Sequence, residues 1–213
     1  MTTIGIIGSG HVGSNLAQAA IAHGYDVVLS NSQGPDSLAG LVSGLGPHAR
    51  AATPAGAAAA GDFAIVAIPL TTIDQVPVEP LAGKVVIATI NYFPQRYGHV
   101  PGIDNGTATA PGLLQAHLPT SRVVRAFSMI NAAEMSGDGY PEGDPKRRAL
   151  ALAGDDAAAK QLVAGLYDAF GFDALDIGGL DEAWRIEAGQ PAFVVRQSLA
   201  ELKANVARAK RPA

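Results

Sequence analysis

Gly8-Ser9-Gly10-His11-Val12-Gly13 sets three glycines at the spacing G-x-G-x-x-G. The isoleucine-rich run Thr3–Ile7 leads into this hexapeptide, and an alanine-rich stretch follows it. A strand that turns sharply into a helix presents bare main-chain amides, and the helix dipole adds to their attraction for an anion. Each glycine has a task in such a turn. Gly8 permits the reversal, Gly10 lets the backbone approach a diphosphate, and Gly13 lets helix and strand pack closely. The flanking strand and helix turn a weak spacing signal into a dinucleotide-binding expectation. Ser9, His11 and Val12 fill the variable positions, and His11 is expected to act through its backbone N–H rather than its ring.

A second candidate follows the run Val27-Val28-Leu29. In dinucleotide folds the adenine ribose lies at the tip of this second strand, where an acid favours NAD and a cation nearby accommodates NADP. Here the tip reads Ser30-Asn31-Ser32-Gln33-Gly34-Pro35, with no acid before Asp36. Hydroxyls and amides donate to a phosphate without repelling it, so the tip tilts toward NADP, with Arg50 able to help from the third strand. The alternative is a plain Ser/Asn/Gly/Pro turn. The other strand tips, Ala67-Ile68-Pro69-Leu70, Asn91-Tyr92-Phe93 and Ser128-Met129-Ile130, are apolar or neutral. Such walls suit a flat aromatic ring, with Asn91 placed to fix a carboxamide or ring carbonyl. No Tyr-x-x-x-Lys pair, G-x-S-x-G elbow or H-E-x-x-H occurs, the five histidines lack metal-ligand spacing, and there is no cysteine. No metal site is expected. With no proton acceptor standing out, hydride transfer between two stacked rings suits the chain better than alcohol oxidation.

These residues need a scaffold, and strand and helix patterns alternate along the chain. Strands are predicted at Thr3–Ile7, Asp26–Leu29, His48–Ala52, Phe63–Ile68, Lys84–Ile90, Arg122–Phe127, Arg148–Ala153 and Asp173–Ile177. Helices are predicted at Val12–His23, Ser37–Ser43, Gly112–His117, Asp156–Phe170 and Ala192–Ala209, and the stretch "PAGAAAAGD" from Pro54 to Asp62 reads as a short helix in preference to a small-residue loop. Such alternation implies an α/β fold, a Rossmann-type, doubly wound, mostly parallel sheet. The expected division is a dinucleotide-binding domain over residues 1–134 and a small C-terminal α/β extension over residues 148–213, packed on the same sheet. Met135–Arg147, rich in Gly, Pro and charge, is the expected linker or flexible loop. The 213 residues, 48% hydrophobic, suffice for one sizeable core. A net charge of −4 gives no basic footprint for nucleic acid. Apolar runs are too short and broken for a membrane span, and no leader pattern is evident, so a cytoplasmic location is expected.

"IGIIGSGHVGSNLA", "SNSQGPDSLAGLV", "NYFPQRYG", "VVRAFSMINA", "LAGDDAAAKQLVAGLYDAFGFDALDIGGL" and "AWRIEAGQPAF", taken together and in order, resemble the NADPH-dependent reductases of the deazaflavin coenzyme F-420. More narrowly, the chain is similar to their actinobacterial members, the F-420-dependent NADP oxidoreductases. The resemblance implies NADP over the glycine loop, a deazaflavin ring stacked on the nicotinamide with hydride passing between them, and a homodimer. It maps Gly8 to Gly13, Ser30 to Gln33, Ile68-Pro69, Asn91, and Ala126, Phe127 and Ser128 onto the cofactor cleft. The chain departs from the family at Gln33, Tyr97 and Ser128, where Arg, Asp and Asn are common. The first departure removes a charged hold on the 2′-phosphate. Other acceptors (a flavin, a ferric complex, a carbonyl or an imine) and a non-catalytic NADP-binding regulator remain the alternatives.

Overall fold

The structure, a computed structural model, describes residues 1–211. The last two residues of the expected extension, Pro212 and Ala213, lie outside the described residues. Eight strands form the sheet: β1 (Thr3–Ile7), β2 (Asp26–Ser30), β3 (Ala49–Ala51), β4 (Phe63–Val66), β5 (Val85–Ala88), β6 (Arg122–Arg125), β7 (Ala149–Gly154) and β8 (Asp173–Asp176). Eight α-helices accompany them: α1 (His11–Ala22), α2 (Ala39–Leu45), α3 (Pro54–Ala60), α4 (Pro94–Tyr97), α5 (Pro101–Asp104), α6 (Ala110–His117), α7 (Ala157–Ala169) and α8 (Leu199–Ala207).

The strand order is β3-β2-β1-β4-β5-β6-β7-β8. β1 to β6 are parallel, so the chain leaves β1 to one side, returns, and resumes on the other at β4. That reversal opens a crevice at the carboxyl ends of β1 and β4, where open α/β sheets bind ligands. β7 runs antiparallel to β6, and β8 pairs parallel with β7. The fold is thus the doubly wound, mostly parallel α/β sheet expected from the alternation of elements. Its central strands read as unbroken apolar runs because both faces are covered: every residue of β4, β5 and β7 is buried.

Local chemistry sets most boundaries. α1 buries Gly13, Leu16, Ala17, Ala19 and Ala20 along one face and stops at Gly24, whose φ of +83° ends the helical path. Thr53 caps α3, its Oγ1 accepting from the Gly56 N–H at 3.1 Å, and Pro54 occupies the first turn. Asp156 caps α7 by accepting from the Ala159 N–H at 2.7 Å.

Two expectations are corrected. The closing helix begins at Leu199, not Ala192. Ser198 and Glu201 form a capping box that fixes the start, while Val194 sits at φ +53°. The preceding stretch is held by tertiary bonds: the Ala149 N–H donates to the Gln197 carbonyl at 2.9 Å, and the Gln197 amide donates to the Ala192 carbonyl at 3.0 Å. The segment Met135–Arg147 is not a free linker either. The Tyr140 N–H bonds the Gly171 carbonyl at 3.0 Å, and the buried Arg147 reaches Asp168 at 2.6 Å and Asp173 at 2.8 Å. Two 3-10 segments, Leu70–Gln75 and Leu180–Ile186, lay outside the sequence pattern.

Candidate dinucleotide site

The turn after β1 has the geometry its glycines suggest. Gly8 lies at φ +105°, and a Cβ there would sit 2.3 Å from the Ala67 carbonyl oxygen. A Cβ on Gly13 would fall 1.8 Å from the Gly8 carbonyl oxygen, so only glycine lets α1 approach the strand this closely. Gly10 differs. Nothing lies within 4 Å of where its Cβ would be, and its backbone is extended at φ −70°, ψ −167°. It faces open space at the helix N-cap, with no capping side chain and no acid in the first turn. The N–H groups of His11, Val12 and Gly13 have no acceptor among the described residues. Three unpaired donors at the positive end of a helix favour the approach of an anion.

A cleft of about 460 Å³ opens over this turn. It brings together Gly8, Ser9 and Gly10 from the glycine loop, Asn31, Ser32 and Gln33 from the β2 tip, and Ala67, Ile68 and Pro69 from the β4 tip. Ile7, Pro54, Thr72 and Gln75 complete its wall, the last two from the unforeseen Leu70–Gln75 segment. At the β2 tip, the Asn31 Oδ1 accepts from the Gln33 N–H at 2.9 Å, and its Nδ2 donates to the Ser37 Oγ at 2.9 Å. This Asx turn leaves the Ser32 and Gln33 side chains exposed. Arg50 is also exposed, on the neighbouring β3.

The structure places the remaining expected residues elsewhere. His11 is exposed at the start of α1, while Val12 and Gly13 pack inward. Ser30 is fully buried and donates to the Ile6 carbonyl at 3.0 Å, so its hydroxyl ties β2 to β1. Ala126 and Phe127 are buried. Phe127 sits at φ +53°, its ring against Tyr167 and its N–H bonded to the Tyr167 hydroxyl at 2.8 Å. That hydroxyl donates in turn to the Ala151 carbonyl at 3.0 Å.

Asn91 and Ser128 belong to a network the sequence did not reveal, centred on Arg125. This guanidinium has no solvent exposure. Its Nε donates to the Ser128 Oγ at 2.9 Å, one terminal nitrogen to the Asn91 Oδ1 at 2.8 Å, and the other pairs with Glu187. The Asn91 Nδ2 donates to the Ser128 carbonyl at 2.8 Å, so both ends of that amide are engaged. The second carboxylate oxygen of Glu187 accepts from the Tyr92 N–H at 3.4 Å. A buried cation is stable only when paired and hydrogen-bonded in this way. The network clamps the tips of β5 and β6 to the segment after Ile186. Its one sequence signal is an arginine inside the apolar run "VVRAF".

Residues 3–92 match the model of a family described as NADP oxidoreductase coenzyme F420-dependent. The resemblance read from the sequence is borne out. Among solved structures, the chain is similar to a hypothetical protein from Sinorhizobium meliloti, at 28% identity and a TM-score of 0.79, covering 93% of this chain and 96% of that one. It is also similar to a protein from Arthrobacter sp. named as an F420-dependent NADP-reductase, at 25% identity and a TM-score of 0.73, covering 86% and 87%. In sequence it is 28% identical over 188 residues to the metalloreductase STEAP3 of Rattus norvegicus, which covers 87% of this chain. The match spans only 36% of that longer protein. A reductive aminase from Aspergillus terreus, solved with NADPH, shares the fold at a TM-score of 0.60 and 19% identity, over 85% of this chain and 56% of that one. The chain is thus similar, over its first 92 residues and in its fold, to NADP-dependent oxidoreductases. Among the described residues, no helix is long and apolar enough to cross a membrane.

Proposed function

We propose that the protein exchanges hydride between NADP(H) and a deazaflavin (coenzyme F-420) or flavin-like ring. The observation that carries this reading is the row of unpaired amides at His11, Val12 and Gly13, opening beside Gly10 into the cleft. When bound, the nucleotide supplies the hydride chemistry through its nicotinamide. The chain's own residues bind and orient. The first-turn amides of α1 hold the diphosphate, and Ser32, Gln33 and Arg50 face the 2′-phosphate. Ala67, Ile68 and Pro69 form an apolar wall that excludes water from the ring. The Arg125 network fixes the β5 and β6 tips, so the strand ends cannot shift when a second ring arrives.

Residues 1–134 serve as the nucleotide-binding part in this reading. The extension over residues 148–213 closes the site through Glu187. The protein works as a cytoplasmic homodimer on a small-molecule substrate. The test is to mix purified protein with NADPH and oxidised deazaflavin, or with NADP and the reduced form, and follow both chromophores. Matched absorbance changes support the reading. No exchange, alongside turnover of another acceptor, removes it. The likeness to a metalloreductase favours a second reading, in which a flavin relays electrons to a ferric complex; ferric reduction that depends on added flavin would mark it.

A further inference from the structure

The stretch after Ile186 meets the strand tips through the Arg125–Glu187 pair and meets the chain beyond α8 through Gln190. The Gln190 Nε2 donates to the Lys210 carbonyl at 2.7 Å, and its Oε1 accepts from the Lys210 N–H at 3.1 Å. One side-chain amide thus takes both main-chain groups of a residue 20 positions away, as the edge of a β-strand would. The tie uses the backbone of Lys210 and does not involve its ammonium.

Holding Lys210 also places its neighbour. The Arg211 guanidinium lies 5.5 Å from the centre of the Trp184 ring and donates to the Asp181 carbonyl at 3.4 Å. Arg185 lies 4.5 Å from the same ring centre and pairs with Glu182. The Trp184 Nε1–H is buried and has no acceptor among the described residues. A buried indole usually spends that donor, and leaving it unspent is unfavourable. The ring is therefore held by the cations against it rather than by a hydrogen bond of its own. Trp184, Glu187 and Gln190 stand on one short stretch of chain, with Ile186 fully buried between them. Glu187 in turn holds the Arg125 guanidinium, whose other nitrogens hold Asn91 and Ser128. Hydrogen bonds and a few residues of chain thus link Lys210 to the Asn91 amide.

We infer that Gln190, with Lys210 and Arg211, forms a strap that sets the position of Glu187 and, through Arg125, of the Asn91 amide during the reaction. Gln190 is a positioning residue: it acts through others and lines no part of the cleft over the glycine loop. The inference rests on the hydride-exchange reading and adds to it a residue that tunes how the second substrate is met, leaving nucleotide binding alone.

Trp184 is the only tryptophan in the chain, so its emission reports the strap directly. Gln190→Ala cuts the tie from the side chain, and Lys210→Pro cuts it by removing the main-chain N–H. Lys210→Ala removes the charge, keeps both main-chain groups and serves as the control. Gln190→Ala and Lys210→Pro are each expected to shift the emission to the red and to make it more open to acrylamide quenching. Both should raise KM for oxidised deazaflavin by about fivefold to tenfold, the scale of one or two neutral hydrogen bonds, with NADPH affinity unchanged. Lys210→Ala should match the parent in all three readouts. Should Gln190→Ala fail to fold, Lys210→Pro carries the test. The inference is overturned if emission and KM in the cut variants match the parent, if emission moves while KM does not, or if Lys210→Ala behaves as Lys210→Pro. A parent protein that binds NADPH but passes hydride to no ring refutes the hydride-exchange reading instead, and the emission comparison still decides whether the strap holds Trp184.

Discussion

Gly10→Val separates binding from folding, because the structure gives the three loop glycines different surroundings. A Cβ at Gly10 meets nothing within 4 Å, and its φ of −70° with ψ of −167° is comfortable for a β-branched residue. The fold should therefore lose no more than about 0.5 kcal/mol, or about 1–2 °C in Tm for a chain of this size. In the proposed reading, the open space at Gly10 is where the diphosphate approaches the amides of α1. A hydrogen bond to a charged group contributes about 1.5–3 kcal/mol, so pushing the phosphates off two such donors costs about 3–6 kcal/mol. That corresponds to about 10²–10⁴-fold in Kd. Gly13→Ala is the contrasting control, since its Cβ would sit 1.8 Å from the Gly8 carbonyl oxygen and must distort the turn itself. The assay pairs NADPH titration by nicotinamide emission with thermal unfolding. Near-parental Tm with binding lost is expected for Gly10→Val, and lowered Tm for Gly13→Ala. If Gly10→Val binds NADPH as the parent does, the diphosphate lies elsewhere and the reasoning fails.

Other substitutions probe the rest of the scaffold. Gln33→Arg adds a cation at the exposed β2 tip and should raise the preference for NADP over NAD by about fivefold to tenfold, measured by calorimetry; no shift would mean the tip does not face the 2′-phosphate. Tyr167→Phe strips the hydroxyl that serves both the Phe127 N–H and the Ala151 carbonyl, and should lower stability by about 2–4 kcal/mol in urea unfolding, whereas a loss under about 0.5 kcal/mol would show the strained strand end needs no such tie. Asp138 titrates below its unfolded value of 3.8: burial raises it, and hydrogen bonds and charges from Arg196 and Arg148 more than reverse that. A depressed folded pKa gives stability that is present above the unfolded value and lost as pH falls through the folded one. Asp138→Asn should thus destabilise the protein at neutral pH and flatten the loss of stability below about pH 4; an unchanged acid limb in pH-dependent unfolding would contradict the pairing.

The parts that the sequence made legible are those decided locally. β1, the glycine turn and α1 are consecutive, and their pattern needs no partner to be read. α7 shows a helical period from Ala159 to Tyr167 behind an aspartate cap. The parts that were not legible depend on distant contacts. The start of α8 depends on Gln197 being bonded into the sheet at Ala149, which overrides a continuous run of residues compatible with helix. The reversed direction of β7 follows from a connection without a crossover helix, and short 3-10 segments carry no period to detect. At the site, residue type was a good guide to backbone position and a poor one to side-chain direction. Ser30 turns inward to Ile6, while Asn91 and Ser128 are bound up with Arg125. The Arg125–Glu187 pair joins residues 62 apart, and no spacing rule announces it.

Equilibrium dialysis of the folded protein against NADPH and NADH tests the central claim most directly. One nucleotide retained per chain is expected, NADPH in preference to NADH, with retention lost in Gly10→Val. Passage of both nucleotides as freely as a buffer blank would contradict it.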